Sequence, residues 1–465
     1  MEENVQMSPM DKIVNLAKRR GFVYPSSDIY GGLANAWDYG PLGVELKNNI
    51  KKLWWNFFVT SRRDMVGLDS SIILNPKVWE ASGHVKVFND PLVDCKSCHS
   101  RFRADNLIEE QLKIDIGGKS LQELSDIITQ EKLKCPNCGK SDWTDARSFN
   151  LLFETHLGVI KDDKSLAYLR GETAQGIFIN FKNILNTTRQ KIPFGVGQIG
   201  KSFRNEVTPG NFIFRTREFE QMEIEYFIKP TGWEAIFEKW LEDIKTWLKL
   251  IGLKDEDLHF HEIEKEALAH YSKRTVDIEY KYPFGQSELY GLAYRTDFDL
   301  KNHQTASGVE MTYTDEETGE KYLPHVVEPS FGVERTFLAV LANSYTEEAV
   351  PDAKGEDASR IVLKLPKTLA PYKIAVLPLS KKTELSSVSQ EIFEILAKKY
   401  TCDYDETQSI GKRYRRQDEI GTPYCVTIDF ETLNDKAVTV RDRDTMKQDR
   451  VAINELANYF ISKFE

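Results

Sequence analysis

The chain has 465 residues, a hydrophobic content of 41%, a charged content of 29% and a formal net charge of −10, which predicts two or three globular domains with ample core. The acidic balance argues against indiscriminate nucleic-acid binding by the whole surface, though not against a local basic patch. No secretory signal opens the chain and no apolar run reaches the roughly 18 residues of a membrane span, so a cytoplasmic location without membrane association is the expectation.

Over 41–59, Leu46, Ile50, Leu53, Trp54 and Phe57 recur at three- and four-residue spacing and predict a helix with one apolar stripe. A strand is expected to follow, ending in Ile72-Ile73-Leu74-Asn75-Pro76. Four of the six cysteines form two Cys-x-x-Cys pairs, Cys95/Cys98 and Cys135/Cys138, in a polar segment over about 91–148. In a chain without a secretion signal such pairs favour metal over disulfides, and four thiolates make the closed shell of a structural zinc site. The gap between the pairs is longer than in standard zinc ribbons, so a metal-free insertion is the competing reading. His99 adjoins the first pair but has no coordination position left, and reads as a surface residue.

Near the middle of the chain, Phe203-Arg204-Asn205-Glu206 and Arg215-Thr216-Arg217-Glu218-Phe219-Glu220-Gln221-Met222-Glu223 each read as a strand with period-2 alternation. In the second, Met222, Ile224 and Tyr226 fall on one face and Gln221, Glu223 and Glu225 on the other. Val207-Thr208-Pro209-Gly210-Asn211 between them is turn chemistry, so an antiparallel hairpin is predicted. A solvated hairpin would alternate in the same way; the form Phe-Arg-x-Glu, loop, Arg-x-x-x-Phe is what argues for a site. Arginine suits phosphate because its planar fork makes two charge-assisted hydrogen bonds and keeps its proton, and Phe219 offers a flat face to a purine.

A helix over 232–252 carries Trp233, Phe237, Trp240, Ile244 and Trp247 and reads as core. Glu328-Pro329-Ser330-Phe331-Gly332-Val333-Glu334-Arg335 then reads as a strand end, a glycine break and the start of an apolar helix. Arg335 falls in that helix's first turn, where the macrodipole disfavours a cation, so either a glutamate or a bound anion must compensate it. The residues 346–357 are polar and acidic and read as a linker. From 358 to 465 the pattern alternates as a three-layer α/β module of about 100 residues. Strands are expected at 373–377, 402–405, 425–428 and 437–440. A helix over about 386–399, a basic helix and a terminal helix complete the module.

The two arginine-bearing segments resemble motifs 2 and 3 of the class II aminoacyl-tRNA synthetases, in the expected order and at the expected distance. Within the class, the chain is most similar to the homodimeric glycyl-tRNA synthetases, over nearly its whole length. The resemblance is carried by Arg170-Gly171-Glu172-Thr173-Ala174-Gln175-Gly176, Glu220-Gln221-Met222-Glu223, the run from His270 to Tyr280, Glu288-Leu289-Tyr290-Gly291, the run from Arg295 to Leu300, and Glu328-Pro329-Ser330. The fold class it implies is α+β. A catalytic domain over 1–345 has an antiparallel sheet, with motif 1 at about 41–80, a cysteine-rich insertion at about 91–148, motif 2 at about 198–227 and motif 3 at about 326–343. The module over 358–465 resembles an anticodon-binding domain.

The resemblance implies ATP-dependent attachment of glycine to the 3′ end of its tRNA through an adenylate. Arg204, Glu206 and Arg335 would act in catalysis. ATP would be held by Arg204, Asn205, Glu206, Phe214, Arg215, Thr216, Arg217, Glu218, Phe219, Glu288, Leu289, Gly332, Val333, Glu334 and Arg335, with magnesium on Glu288. Glycine would lie among Arg103, Glu172, Phe219, Glu220, Gln221, Met222, Glu223, Arg295, Glu328, Pro329, Ser330, Phe331 and Gly332. Its ammonium would sit between Glu172, Glu223, Glu328 and Ser330, and Arg204 and Arg295 would face carboxylate and phosphate. Lys412, Arg413, Arg415 and Arg416 would contact tRNA, with Arg441 and Arg443 nearby. The stripe with Trp54 and Phe57 would be buried at a homodimer interface. Against a non-catalytic paralogue stand the two intact arginines; against a synthetase for threonine, proline or histidine stands the glutamate-rich pocket. Composition alone does not identify glycine.

Overall fold

The computed structural model describes residues 7–114, 116, 118–162, 164–351 and 357–464. A seven-stranded sheet is built from β1 (Met65–Gly67), β2 (Phe194–Phe203), β3 (Glu218–Ile228), β4 (Leu258–Glu262), β5 (Arg274–Tyr282), β6 (Gly285–Thr296) and β7 (His325–Gly332). They lie side by side in the order β4-β5-β6-β7-β3-β2-β1, with β1–β2 parallel and the other pairs antiparallel.

Strand alternation gives this sheet two unlike faces. On one, Met222, Ile224 and Tyr226 of β3 and Phe331 of β7 pack against helices α1 (Pro41–Trp55), α3 (Trp233–Leu250) and α4 (Val333–Ser344). Helix α2 (Ala174–Thr188) covers one end of the other face, where Phe178 and Phe181 meet Phe194, Val196 and Phe227. The rest of that face carries Gln221, Glu223, Glu225, Arg295 and Glu328.

The helix expected over 41–59 is α1 continued by a π-turn segment over Asn56–Thr60. Its apolar stripe points inward: Leu46, Ile50 and Trp54 are each 0% exposed, and Phe57 packs on the same core. The expectation that Trp54 and Phe57 are buried between chains is therefore corrected for Trp54, which already packs on Phe331 of the sheet, while Phe57 is half-buried against Phe58 and Trp247. The strand expected through Pro76 is also absent. Ile73 makes one isolated bridge to Leu169, while Asn75 caps a helix over Pro76–Ala81 by accepting from the Lys77 N–H at 3.0 Å; an Asn-Pro pair favours that start.

The predicted hairpin exists with different limits. Its first strand ends at Phe203, so Arg204, Asn205 and Glu206 belong to a long loop, and the tight turn closes at the Gly210–Arg215 bridge instead of at Val207–Asn211. The segment read as a linker is a β-hairpin, Tyr345–Pro351 paired with Asp357–Leu363; its residues 352–356 lie outside the described residues.

The cysteine segment contains a three-stranded sheet (Asn89–Asp94, Arg101–Arg103, Arg147–Asn150) and two helices, Ala104–Leu112 and Leu121–Gln130. Leu107, Ile108, Leu124 and Ile128 give it a core of its own, which accounts for the long gap between the cysteine pairs. The C-terminal module has five strands, β8 (Ile374–Pro378), β9 (Cys402–Tyr404), β10 (Tyr424–Ile428), β11 (Ala437–Asp442) and β12 (Gln448–Ala452), in the order β9-β8-β10-β11-β12. The largely exposed β12 is an addition to the expected strands. Helices α5 (Thr383–Ala397), α6 (Ile410–Ile420) and α7 (Leu456–Phe464) complete it. Among the described residues, no helix is long and apolar enough to cross a membrane.

Candidate active site

Two arginines from distant parts of the chain face one cavity. The Arg204 backbone N–H continues the β2–β3 ladder by donating to the Arg217 carbonyl at 2.9 Å, and its Nε donates to the Gly171 carbonyl at 3.1 Å. Its guanidinium lies 5.3 Å from each of the Phe88 and Phe219 rings, a sandwich that fixes the fork without using all of its donors. Arg335 sits in the first turn of α4, 4.5 Å from the Phe214 ring, and pairs with the Glu288 carboxylate at 3.1 Å. Glu206, Arg215 and Thr216 complete the wall, and Gly332 and Leu289 the floor.

A second cavity opens beside it and shares Arg204, Gln221, Glu288 and Ser330 with the first. Its walls carry Glu172, Glu223 and Glu328. Glu223 accepts from Ser330 at 3.1 Å, from Gln221 at 3.3 Å and from Thr173. Glu172 meets His84 Nε2 at 3.3 Å and accepts from Gln175 at 2.9 Å. The Arg295 fork is taken up inside the protein: it is 3% exposed, donates to both Glu328 oxygens at 3.0 Å and to Asp299 at 2.8 and 2.9 Å, and lies 4.0 Å from the Tyr271 ring.

The electrostatics separate these carboxyls. Burial works to raise Glu172, but His84 and Arg295 hold it below the usual carboxylate range. Burial, Glu223 and Glu172 work to raise Glu328, but Arg295 opposes them and donates to both of its oxygens, the geometry of an ionised carboxylate. Burial and the Glu172 charge also raise Glu223, against Thr173, Arg295 and Ser330. Such a pocket stores unfavourable charge that a small cation relieves on entering.

A family model described as the tRNA synthetase class II core domain (G, H, P, S and T) matches residues 155–344, and one described as an anticodon binding domain matches residues 373–463. Glycine--tRNA ligases of Ruminiclostridium cellulolyticum and Caldanaerobacter subterraneus are 57% and 56% identical over 461 residues, covering 98% of each chain. One of Bacillus cereus is 53% identical over 464 residues, covering 99% of this chain and 100% of its own. The chain belongs to the glycine--tRNA ligase family. Its sheet and helices are the α+β core of the class II synthetases.

Several residues expected in this ligase's pockets stand elsewhere. Met222 is 0% exposed in the core and Pro329 is buried on the face opposite Glu328 and Ser330; Phe331, on the same face as Met222, contributes to the lining of the first cavity and not to that of the second. Val333 is likewise core. Glu220, also on the core side, pairs with Lys47 at 2.6 Å and Lys51 at 3.2 Å, and its N–H donates to Glu334 at 2.8 Å. Glu334 in turn meets Lys47 at 2.7 Å, so it braces α4 against α1 from the edge of the first cavity. Asn205, Arg217 and Glu218 line a neighbouring cavity with residues 33–39, where Arg217 donates to the Ala34 carbonyl at 3.3 Å. Arg103 lies outside both cavities, held by Asp90 at 2.9 Å and by Asp105 at 2.5 Å.

In the C-terminal module the basic run of α6 divides. Arg413 is 1% exposed and donates to the carbonyls of Pro378, Leu379 and Asp405. Arg416 is held by Asp405 and Thr407, and Arg441 and Arg443 are buried, Arg441 on Asp418 at 2.9 Å. Lys412 and Arg415 point to solvent. Arg413 is thus a structural brace, because a buried fork that satisfies three carbonyls has no reach to a nucleic acid.

The four cysteine sulfurs lie within 4.8 Å of one another, with Cys95–Cys138 and Cys98–Cys135 at 3.6 Å. Tetrahedral zinc with bonds of about 2.3 Å needs sulfurs about 3.8 Å apart, so the set fits that ion. His99 is exposed, as expected.

Reading the sequence missed Lys47, His84, Thr173, Gln175, Tyr271 and Asp299 as site residues. Thr173, Gln175, Tyr271 and Asp299 lie within the runs that carry the resemblance. Lys47 had a signal of its own, a lysine three residues before Ile50 and seven before Trp54, on the apolar stripe of α1.

Proposed function

We propose that this enzyme binds ATP in the arginine-lined cavity and glycine in the carboxylate pocket, joins them as glycyl-adenylate, and transfers the glycyl group to the 3′ end of glycine tRNA. The observation that carries the reading is the meeting of the two cavities at Arg204, Gln221, Glu288 and Ser330. With its ammonium among Glu172, Glu223, Glu328 and Ser330, glycine would direct its carboxylate toward that junction. The carboxylate attacks the α-phosphorus in line, and pyrophosphate leaves. Arg204 is placed to share the charge that builds there, and Arg335 to meet the leaving phosphates; both roles are positioning and charge stabilisation, with no covalent protein intermediate. Magnesium bound with ATP supplies further charge neutralisation, and Glu288 is the residue to hold it. Arg295, locked on Asp299 and Glu328, keeps the pocket's acids in place and does not itself grip the substrate.

With its ammonium held among Glu172, Glu223, Glu328 and Ser330, the substrate's α-carbon would face these walls, so a larger side chain would be rejected on entry and no editing step would be needed. The same reading makes the enzyme a cytoplasmic homodimer with structural zinc on Cys95, Cys98, Cys135 and Cys138, and gives Lys412 and Arg415 the tRNA phosphate contacts. The exposed apolar cluster Ile29, Tyr30 and Leu33 offers the dimer a surface that the buried stripe of α1 does not. Amino-acid-dependent ATP–pyrophosphate exchange across all twenty amino acids tests the function. Glycine alone should support it; alanine or serine at a comparable kcat/KM would overturn the pocket reading.

A further inference from the structure

Glu225 lies two residues beyond Glu223 on the same face of β3. It is 0% exposed, and neither carboxylate oxygen has a hydrogen-bond partner among the described residues. Glu223 pairs with Ser330 and Tyr226 with Val327, so the β3–β7 register sets Glu225 opposite Glu328. Like charges facing each other across a ladder are destabilising. One carboxylate oxygen from each of Glu223, Glu225 and Glu328 lies within 4.8 Å of the others. The centre of such a triangle is at most about 2.8 Å from each oxygen, the length of an ordinary O–H···O hydrogen bond.

The neighbours leave Glu225 without compensation. The Arg295 fork is shared between Glu328 and Asp299, and Glu223 takes the donors of Thr173, Ser330 and Gln221. An ionised Glu225 would join Glu172, Glu223, Glu328 and Asp299 as a fifth carboxylate around one guanidinium, with no donor of its own. Keeping a proton costs less. We propose that Glu225 is a positioning residue for the ammonium pocket, standing as the neutral acid and directing its single O–H toward Glu223 and Glu328 through one water at the centre of the triangle. Burial, then the Glu328 charge, raise its pKa well above the carboxylate range against the pull of Arg295. The pair of carboxylates that receives the ammonium is thereby held together, and the pocket carries one charge fewer. The proposal rests on the ammonium-pocket reading given above.

The test is glycine-dependent pyrophosphate exchange by the full-length enzyme carrying Glu225→Gln, Glu225→Leu or Glu223→Gln, with an infrared difference spectrum of wild type against Glu225→Gln at neutral pH. Glu225→Gln keeps a donor and a neutral group, so KM for glycine should stay within about threefold of wild type. Glu225→Leu should raise it about tenfold or more with KM for ATP unchanged. The infrared spectrum should show a carboxylic-acid C=O band in wild type that Glu225→Gln loses. A missing band, or a Glu225→Gln KM as high as that of Glu225→Leu, would overturn the proposal, since both mean an ionised Glu225. A normal KM in Glu225→Leu beside a raised one in Glu223→Gln would also overturn it while leaving the pocket reading intact. A normal KM in Glu223→Gln would bring down the pocket reading itself. If Glu225→Leu does not fold, the infrared band and the Glu225→Gln kinetics still decide.

Discussion

Lys47→Met probes the brace behind the active site. Lys47 is 5% exposed, meets Glu220 at 2.6 Å and Glu334 at 2.7 Å, and lies 4.1 Å from the Tyr39 ring. It ties α1 to the strand bearing Phe219 and to the helix bearing Arg335. Methionine keeps most of the stem's packing and removes the charge. Breaking a buried ion pair from one side costs about 3–5 kcal/mol. Glu220 retains Lys51 at 3.2 Å, which puts the expected loss at the low end, about 3 kcal/mol.

The pH dependence follows from the two shifts. Burial opposes the charge of Lys47, but Glu334 and Glu220 hold its pKa above the usual value. Its contribution is therefore full below the unfolded pKa of about 10.4 and lost as pH rises through the higher folded value. Burial works to raise Glu220, but Lys47 and Lys51 hold it below its usual value. Its contribution is present above the unfolded pKa of about 4.3 and lost as pH falls through the lower folded one. The gap between wild type and variant should be widest from roughly pH 5 to pH 10 and narrow outside it. Urea denaturation at fixed protein concentration, with the m-value followed, measures it. A variant within about 0.5 kcal/mol of wild type near pH 7.5 would refute the brace.

Arg204→Ala and Arg335→Ala should each slow pyrophosphate exchange by two to three decades, about 3–4 kcal/mol, with an unchanged circular dichroism spectrum; near-normal exchange in either removes that arginine from the ATP site. Metal analysis should give about one zinc per chain, and Cys135→Ser with Cys138→Ser should abolish it and lower the Tm; a zinc-free protein whose Tm ignores the substitution would make the cluster a metal-free insertion. Lys412→Ala with Arg415→Ala should weaken tRNA binding and lower the slope of log K against log salt by about two. Arg413→Ala should instead destabilise the module by about 2–3 kcal/mol, because buried carbonyls lose their donors; a loss of tRNA affinity without a loss of Tm would return Arg413 to the interface.

The order of elements was largely legible in the sequence because each rests on local periodicity. The alternation of Met222, Ile224 and Tyr226 against Gln221, Glu223 and Glu225 is a property of the strand itself, and so is the 3.6-residue stripe of α1 and α3. Likewise, the Cys-x-x-Cys pairs and the Gly332 break before Arg335 are read within a few residues. Individual roles inside the motifs were less legible. Met222 and Glu220 sit beside Glu223 in the chain but on the other face of the sheet, so a contiguous motif named residues that the pleat sends into the core. Arg413 and Lys412 are adjacent in a basic run, yet one turns inward to three carbonyls and the other outward to water.

What the sequence determined by itself, then, is the main helices and central strands, which faces are apolar, and which residue types stand ready for phosphate, ammonium and metal, since these follow from interactions between near neighbours in the chain; the hairpin at 345–363 and the loop at Arg204–Glu206 depend on distant packing and were not among them. What only the tertiary structure decided is which charges find partners. Lys47 meets Glu220 and Glu334 across 173 and 287 residues, and Arg295 is spent on Asp299 and Glu328 while Arg204 keeps free donors. Those pairings depend on the β3–β7 register and on the packing of α1, and Coulomb energy falls with distance through space, not along the chain.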